Sequence, residues 1–495
     1  MNYYLGIDIG TTSVKAVAFD VNGDLLLSQS VEYGMQHPQA SRSEQDPVEI
    51  YDAFISVTRD TMRQLKGKPA FISFSAAMLS IMAVDHNGEP LTPLIIWADN
   101  RAASIATSFT NNGQADFFYH RTGVPVHAMS PLLKLFWLKE NEPGIYNAAH
   151  KFIGIKEYIF HRLLGYFIVD ASIASATGLL NLHTLEWEEE ILELLSLETS
   201  KLSEVVSAKS VFYILSNDEQ LAFLSHIPMV IGASDGALAN AGTDARNDIL
   251  AITIGTSGAA RCIVNSPVTD KGMRHFCYHV KEDEYIIGGA NNNGAVVLQW
   301  LKEQVLESGE SYEELFAEAA AVKPGSDGLI VLPYILGERA PFWNSSAKGV
   351  FFGVTRQHTK AHFLRAVMEG VVFSMVSIAQ VLQEKNVLTA VYASGGFVKS
   401  ELWLQILADV LQLPVHVSGA MEASAYGAVI LGAEALMMDA KFDHRILRSF
   451  YPAGENSTLY RQAFSKFERL YELLKVEMTD QEQLSPENKK DETVI

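Results

Sequence analysis

The sequence predicts an α/β protein built from two related domains. A hairpin with a small polar tip opens the chain at residues 4–20, and a near-copy of it recurs at residues 250–264. The length of 495 residues corresponds to about two to three domains. In both halves apolar, β-prone runs alternate with longer helical segments, which is typical of mixed α/β folds.

The first hairpin has the composition of an anion-binding loop. Residues 4–9 and 14–20 are its predicted strands. The tip consists of Gly10, Thr11, Thr12 and Ser13. A glycine lets the backbone approach an anion, and N–H groups and hydroxyls can face phosphate oxygens. Asp8 could hold a divalent cation beside those oxygens, and Lys15 adds a positive charge.

The second hairpin repeats this pattern, with Gly255, Thr256 and Ser257 at its tip. Either hairpin alone could be an ordinary turn, because turns use small polar residues. Two copies separated by half the chain favour two related domains that face one nucleotide.

The composition excludes several classes of function. Lys and Arg total 38 against 58 Asp and Glu, a formal net charge of −20, which argues against nucleic-acid or anionic-membrane binding as a main role. Two cysteines do not indicate a disulfide-built protein. We find no signal peptide and no apolar run of about 18 residues, so we expect a cytoplasmic protein without a membrane span.

The elements after the first hairpin continue the α/β pattern. Asn22-Gly23 predicts a tight turn into a strand at 25–30, and residues 47–65 predict a helix with Asp46 as its N-cap. A short strand at 71–76 leads into a small-residue turn that contains Met78.

Residues 94–101 predict an apolar strand that ends in aromatic and charged side chains. Trp97, Asp99 and Arg101 could line a polyol pocket, the ring packing on carbons and the charges bonding hydroxyls. The alternative is a buried tryptophan beside a surface Asp–Arg pair. The mostly helical segment 115–190 adds two candidate cations, Lys134 and Lys156, although most lysines are solvated.

Asp235 is the candidate catalytic base. An apolar strand at 228–234 runs into the turn Gly232-Ala233-Ser234-Asp235-Gly236 and then a small-residue helix. A hydroxyl that attacks a γ-phosphate needs orientation and a proton acceptor, and a carboxylate supplies both. The alternative role, a helix N-cap, is compatible with the first. We place the domain boundary in the polar segment 244–248.

The second half repeats the outline of the first. Strands at 276–280 and 285–289 lead to a glycine- and asparagine-rich turn that ends at Gly294, and a helix follows at 295–306 that carries Gln299. Helix N-termini and glycine turns suit anions and nucleotides. A later strand enters a turn at Gly395 and Gly396, which would let an adenosine approach closely.

The segment Gly349-Val350-Phe351-Phe352-Gly353-Val354, followed after a spacer by a helix with Ala366-Val367-Met368-Glu369, resembles the C-terminal signature of the FGGY carbohydrate kinases. The resemblance covers residues 3–475. It implies two RNase-H-like (actin-like ATPase) domains, 1–245 and 246–475, with an interdomain cleft and an acidic tail at 476–495.

The resemblance also implies roles. It implies ATP and Mg²⁺, with Asp235 as base and metal neighbour and Asp8 at the metal. The implied nucleotide-binding residues are Gly10, Thr11, Thr12, Ser13, Lys15, Gly255, Thr256, Gly294, Gln299, Gly395 and Gly396. The implied substrate-binding residues are Met78, Trp97, Asp99, Arg101, Lys134, Lys156 and Asp235.

Within the family, Trp97-Ala98-Asp99-Asn100-Arg101 and Gly232-Ala233-Ser234-Asp235-Gly236 are most similar to gluconate kinases. One position departs, since Leu79 stands where related kinases usually have histidine. D-Gluconate carries a carboxylate that Arg101, Lys134 or Lys156 could hold. The alternatives are a kinase of another polyol or a ketose such as xylulose, and a non-catalytic actin-like ATP-binding protein. A homodimer is also compatible with the sequence.

Overall fold

A computed structural model describes residues 2–214, 219–245, 248–419, 422–440, 442 and 445–479. Two residues of the predicted boundary segment, 246 and 247, lie outside the described residues. So does most of the predicted acidic tail, from residue 480 onward, whereas residues 476–479 form the end of the last helix, Gly454–Thr479, and are not a tail.

The strands of the described residues include the predicted ones and several short strands that were not predicted. They are β1 (Tyr4–Ile9), β2 (Ser13–Phe19), β3 (Leu25–Glu32), β4 (Glu44–Gln45), β5 (Ile72–Ala76), β6 (Met82–Val84), β7 (Leu94–Ile95), β8 (Lys151–Ile153), β9 (Ile168–Asp170), β10 (Glu204–Val206), β11 (Val211–Phe212), β12 (Met229–Ser234), β13 (Ile249–Ile254), β14 (Gly258–Val264), β15 (Phe276–Lys281), β16 (Glu284–Asn291), β17 (Ile330–Pro333), β18 (Gly349–Phe352), β19 (Ala390–Ser394), β20 (Val415–Ser418) and β21 (Ile446–Phe450).

The α-helices of the described residues alternate with these strands. They are α1 (Pro47–Gln64), α2 (Ala103–Asn111), α3 (Gln114–Thr122), α4 (Pro131–Asn141), α5 (Pro143–Ala148), α6 (Ile155–Leu164), α7 (Ala171–Ser175), α8 (Glu189–Leu195), α9 (Asp235–Gly242), α10 (Ala295–Trp300), α11 (Tyr312–Ala320), α12 (Lys360–Gln383), α13 (Glu401–Leu411), α14 (Ala423–Ala435) and α15 (Gly454–Thr479).

The chain forms two compact units, of which the first takes segments from both halves of the sequence and the second takes segments only from the second half. The first unit comprises Met1–Asn247, Cys262–Ile287 and Gly419–Arg445, and the second comprises Asp248–Arg261, Gly288–Ser418 and Ile446–Ile495. The predicted ranges 1–245 and 246–475 are continuous, so the units differ from them by these returning segments. Local patterns do not report such long-range packing.

The first unit contains a six-stranded sheet in the order β11-β12-β5-β1-β2-β3. β1, β2 and β3 are antiparallel neighbours, whereas β5 and β12 run parallel to β1. The register pairs Ile9 with Ala76 and Ala76 with Ser234. The carboxyl ends of three strands therefore lie at one edge, and the residues that adjoin them are brought together.

Helix α1 begins as the sequence predicts. Asp46 accepts a hydrogen bond from the backbone N–H of Val48, and Pro47 occupies the first turn, where a missing N–H costs nothing. The face that carries Ile50, Phe54 and Val57 is buried in the apolar core. Its contacts with β2 and β3 hold the first hairpin in place.

Helices α9 and α14 pack with their backbones in close contact within the first unit. A Cβ at Gly427 would lie 1.9 Å from the carbonyl oxygen of Leu238, and a Cβ at Gly242 would lie 2.0 Å from that of Ala423. The small residues of both helices are therefore required for this approach. α14 also packs on β1 and β5.

In the second unit, neighbouring strands of one sheet are hydrogen-bonded in the order β14-β13-β19-β20-β21. β13 is antiparallel to β14 and parallel to β19. Helix α12 packs on β17, α11 and α13. It is long and apolar enough to cross a membrane, but 89% of its most apolar window is buried inside the protein, as expected for a core helix.

Two predicted elements differ from the structure. The strand predicted at 94–101 is limited to Leu94–Ile95, because the following residues form a turn closed by the hydrogen bond from the Asp99 N–H to the Ile96 carbonyl, 3.0 Å. The helix predicted at 295–306 is α-helical only to Trp300, and Leu301–Val305 form a π-helical turn.

Candidate functional site

The first hairpin tip is a tight turn with an outward-facing polar surface. The Gly10 N–H donates to the Ser13 carbonyl at 3.0 Å, and the Tyr33 N–H donates to the Thr12 carbonyl at 3.1 Å. Thr12 is exposed at the apex. Lys15, just beyond the tip, forms an ion pair of 2.6 Å with Glu422. The predicted tip residues therefore form one loop.

Two carboxylates lie at the carboxyl edge of the first sheet. Asp8 is on β1, and Asp235 is the first residue of α9, directly after β12. Between these strands, the hydroxyl of Ser75 on β5 donates to Asp8 Oδ1 at 2.7 Å. Burial, together with the negative charge of Asp235, raises the pKa of Asp8 to about 6, against the opposing effects of the Ser75 hydrogen bond and of Lys15.

The carboxylate pair fits a magnesium ion better than a protein-enclosed metal centre. Among the described residues, no group of three or more His, Cys, Asp or Glu side chains could hold a metal. Mg²⁺ commonly takes one or two carboxylates and completes its shell with water and phosphate oxygens. Of the two carboxylate oxygens of Asp8, Oδ1 accepts a hydrogen bond from a described residue and Oδ2 does not. Oδ2 could therefore face a cation.

Lys156 holds the strand end that precedes Asp235. Its buried ammonium donates to Asp170 Oδ2 at 2.7 Å and to the Ala233 carbonyl at 3.1 Å. Burial lowers the pKa of Lys156, while Asp170 and Asp235 act in the opposite direction. Asp235 itself accepts from the Gly236 N–H at 2.7 Å. Lys156 is thus placed to orient the loop of the candidate base, and its predicted contact with substrate stays a prediction.

The first hairpin shares a residue with the predicted acceptor pocket. Thr11 accepts a hydrogen bond at Oγ1 from Trp97 Nε1, 3.1 Å, and at its carbonyl from Gln45 Nε2, 2.7 Å. Gly10, Thr11, Met78 and Trp97 line the same small cavity of about 10 Å³. The structure therefore brings together four residues that the sequence analysis selected from three separate segments.

Asp99 and Arg101 form a buried ion pair. Arg101 Nε donates to Asp99 Oδ1 and an Nη to Oδ2, each at 2.8 Å, and the same Nη donates to Glu44. Asp99 also accepts from the Ser43 N–H at 2.7 Å. The alternative of a surface Asp–Arg pair is therefore wrong, because the pair is buried, and its bonds tie residues 43–44 to the turn after β7. The predicted substrate contacts of Asp99 and Arg101 remain untested.

Lys134 does not have the geometry of a substrate-binding cation. Its side chain is fully buried, and its ammonium donates to the carbonyls of Leu79, Ile96 and Met129 at 2.8–2.9 Å. These three bonds use all its protons. Desolvation lowers the pKa of Lys134 to about 7, although Asp99 raises it. The predicted role of Lys134 in substrate binding is therefore wrong, because its ammonium group joins three loops instead.

In the second unit, the helix that follows the asparagine turn begins against the second hairpin tip. The Gly255 N–H donates to the Ser257 carbonyl at 2.9 Å, and the Gly294 N–H donates to the Thr256 carbonyl at 3.0 Å. A Cβ at Gly294 would lie 2.6 Å from the Gly255 carbonyl oxygen. Gln299 lies further along this helix, where it is exposed and donates to Glu303.

Gly395 and Gly396 follow β19, whose Ser394 pairs with Thr253 beside the same tip. Gly395 has φ of 95°, and a Cβ there would lie 2.5 Å from the Ile254 carbonyl oxygen, so the fold itself requires glycine. A Cβ at Gly396 would meet nothing within 4 Å. Open space at Gly396 is compatible with the predicted nucleotide contact, which remains untested.

Sequence reasoning missed Glu338, a buried carboxylate behind the second tip. It accepts hydrogen bonds from the backbone N–H groups of Asn292 and Arg339, at 3.0 and 2.8 Å, and from Ser374 Oγ at 3.3 Å. The amide of Asn291 links Ser374 to the Gly258 N–H. Burial raises the pKa of Glu338 to about 7, against these hydrogen bonds.

In the first unit, sequence reasoning also missed Gln45 and Glu422. Gln45 directly precedes the helix cap, which was its only local signal, whereas Glu422 had none because its partner lies 407 positions away.

Comparison with known proteins covers almost the whole chain. Residues 3–242 match the N-terminal domain of the FGGY family of carbohydrate kinases, and residues 250–436 match the C-terminal domain. Gluconokinase from Bacillus subtilis strain 168 is 40% identical over 498 residues, with 97% of each chain covered.

Two solved structures are similar throughout. A gluconate kinase from Lactobacillus acidophilus has a TM-score of 0.93 and 34% identity, covering 98% of this chain and 100% of its own. A ligand-bound xylulose kinase from the same species has a TM-score of 0.92 and 34% identity, covering 96% and 98%. The predicted two-domain α/β fold class is confirmed by these matches.

Proposed function

Because the chain belongs to the FGGY family of carbohydrate kinases, we propose that this sugar kinase transfers the γ-phosphoryl group of ATP to the terminal hydroxyl of D-gluconate. The single observation that carries the chemistry is the pair Asp8 and Asp235 at the carboxyl edge of the first sheet. The identity of 40% to a gluconokinase over 97% of the chain supports the choice of acceptor.

In this proposal Asp235 accepts the proton of the attacking hydroxyl. A carboxylate at the start of a helix, with Oδ1 held by the Gly236 N–H, has a fixed direction, and Lys156 fixes the strand end before it. Orientation of the nucleophile and removal of its proton are the main tasks of a protein group in phosphoryl transfer.

Asp8 and the hairpin tips act on the phosphates. Mg²⁺, when bound near Asp8, neutralises charge on phosphate oxygens. Backbone N–H groups and the hydroxyls of Thr11 and Thr12 donate hydrogen bonds to those oxygens as negative charge spreads over them, and the predicted nucleotide contact of Thr256 stays a prediction. The protein's part is therefore positioning and charge stabilisation.

The acceptor pocket includes Met78 and Trp97, since both adjoin the phosphate loop at Thr11. Lys134 is excluded as the cation for the carboxylate because its protons are already bonded. No contact among the described residues uses the two N–H groups of the second Nη of Arg101 or the third N–H of Lys156. We retain these two as candidates, and we expect the enzyme to act in the cytoplasm.

A second acceptor is favoured by one observation. The xylulose kinase structure is as identical to this chain, at 34%, as the gluconate kinase structure. A coupled assay of ADP release with D-gluconate, D-xylulose, D-ribulose and glycerol separates the candidates. We expect the highest kcat/KM with gluconate. A higher value with xylulose would refute the proposed acceptor, and no ADP release with any acceptor would point to a non-catalytic ATP-binding protein.

A further inference from the structure

A groove lined by basic residues lies on the first unit, away from the candidate active site. Its volume is about 670 Å³, and its lining includes Arg59, Arg63, Lys66, Lys68 and Phe223. Among the described residues, the lining contains one acid, Glu219. Four cations against one acid is the reverse of the whole chain, which has 38 cations against 58 acids. A positive concavity on such a protein selects for a negatively charged ligand.

Two of the four cations fix the walls of the groove. Arg59 donates to the Gln220 carbonyl at 3.0 Å and stacks over the ring of Phe223, 4.9 Å from its centroid. Lys68 donates to the Ser225 carbonyl at 2.9 Å. These bonds join the end of α1 to the loop before β12. The walls of the groove are therefore held in place without a ligand, and the ring of Phe223 forms part of them.

The other two cations are available to a ligand. Within the described part of the chain, Arg63 pairs with Asp60 alone, at 3.5 Å, and both side chains are more than half exposed, so the pair contributes little. Among the described residues Lys66 has no hydrogen-bond or ion-pair partner, and it is exposed in a left-handed turn with φ of 54°.

Stabilisation of the α1 carbonyl end explains part of this charge. Cations near the last turn of a helix interact favourably with its dipole, and Arg63 lies in that turn. The helix dipole does not account for Lys68, which lies beyond the helix. It also does not account for the stacking of Arg59 on Phe223 in the same groove.

We propose that this groove binds a small phosphate ester, such as a sugar phosphate, at a site separate from the catalytic carboxylates. Arg63 and Lys66 hold the phosphate group, beside the Arg59 side chain that covers the ring of Phe223. The groove adjoins the starting ends of β5 and β12, whereas Ser75 and Asp235 lie at their other ends. A six-residue strand spans about 20 Å, so a bound ligand does not reach the carboxylates.

Isothermal titration calorimetry of the full chain with glucose 6-phosphate, at constant ionic strength, tests the site. We expect saturable binding by the wild type and at least about tenfold weaker binding by Arg63→Ala/Lys66→Ala. The matched control is Lys323→Ala/Lys385→Ala, which removes two exposed lysines of the second unit and the same charge. It should bind like the wild type. Glucose should give no heat.

Two results would overturn the proposal: no saturable binding of glucose 6-phosphate by the wild type, or equal affinity in the groove variant. Thermal unfolding of each variant checks folding, and the single change Lys66→Gln serves if the double variant is unstable. Kinase activity without added phosphate ester should be unchanged in the groove variant. Because binding is measured directly, failure of the groove leaves the proposed acceptor unaffected, and the reverse also holds.

Discussion

At the scale of single residues, the same charged side chains can serve chemistry or architecture, and their hydrogen bonds distinguish the two. Lys134 has three carbonyl partners and no remaining proton, whereas Asp235 stands at a strand end beside a second carboxylate. The sequence indicated both as functional from their neighbours. Only the fold shows which of them is enclosed.

For Asp235 we expect the change Asp235→Asn to lower kcat with gluconate by about a thousandfold, because an amide cannot accept the proton of the hydroxyl. ATP binding, measured by calorimetry, should be retained. The control Asp116→Asn alters an exposed aspartate in the first turn of α3 and should leave kcat unchanged. A near-normal kcat in Asp235→Asn would remove this residue from the role of base.

Glu338 gives a prediction for the pH dependence of stability. Its pKa is about 7 in the folded protein against 4.5 ordinarily, so its contribution to the free energy of unfolding is complete below pH 4.5 and is lost as pH rises through 7. Glu338→Gln cannot titrate. Between these values, the free energy of unfolding of the wild type should therefore fall relative to the variant, by roughly 3 kcal/mol.

Urea unfolding of both proteins at several pH values measures this difference. Curves of unfolding free energy against pH that stay parallel for wild type and variant would show that Glu338 does not titrate in this range.

At the scale of elements, short-range sequence patterns predicted those strands and helices whose stabilising contacts lie within a few residues. The two hairpins and helix α1 were predicted because a polar tip, an Asp46 cap and apolar periodicity all act within a few residues. The turn within segment 94–101 was not predicted, because it is held by Glu44 and Ser43, more than fifty positions earlier in the chain. The candidate site follows the same division, since its loops were predicted and its buried ion pairs were not.

The backbone contact between α9 and α14 should tolerate no side chain. In Gly427→Ala the new Cβ would lie 1.9 Å from the Leu238 carbonyl oxygen, so the helices must separate. We expect a loss of about 3 kcal/mol in the free energy of unfolding, measured with denaturant. Gly144→Ala is the control, because a Cβ there meets nothing within 4 Å. Equal stability of the two variants would contradict the close packing.

At the scale of the whole molecule, the first unit is completed by a helix from the far end of the chain. Helix α14 contributes Ala425, Tyr426 and Val429 to a buried cluster with Phe19 and Phe71. The sequence predicted two domains, but not that residues 419–445 return to the first unit. Such an exchange is invisible to periodicity because the partners are hundreds of residues apart.

A fragment of residues 1–247 should therefore be incompletely folded. Without α14 the faces of β1 and β5 lose their cover, so we expect binding of a hydrophobic dye and a non-cooperative thermal transition. Joining residues 262–287 and 419–445, the other two segments of the first unit, to the fragment through flexible linkers should restore cooperative unfolding. Cooperative unfolding of the unmodified fragment, with no dye binding, would show that α14 is dispensable.

The return of α14 also bears on how the protein is made. About 190 residues separate the end of the long first segment at Asn247 from the end of α14 at Ala435. At translation rates of about 5–20 residues per second, the nascent first unit waits roughly 10–40 s on the ribosome with Phe71 and its neighbours uncovered. During that interval the emerging polypeptide exposes apolar surface that is prone to aggregation. The yield of folded protein in a cell should therefore depend on chaperones that bind nascent chains.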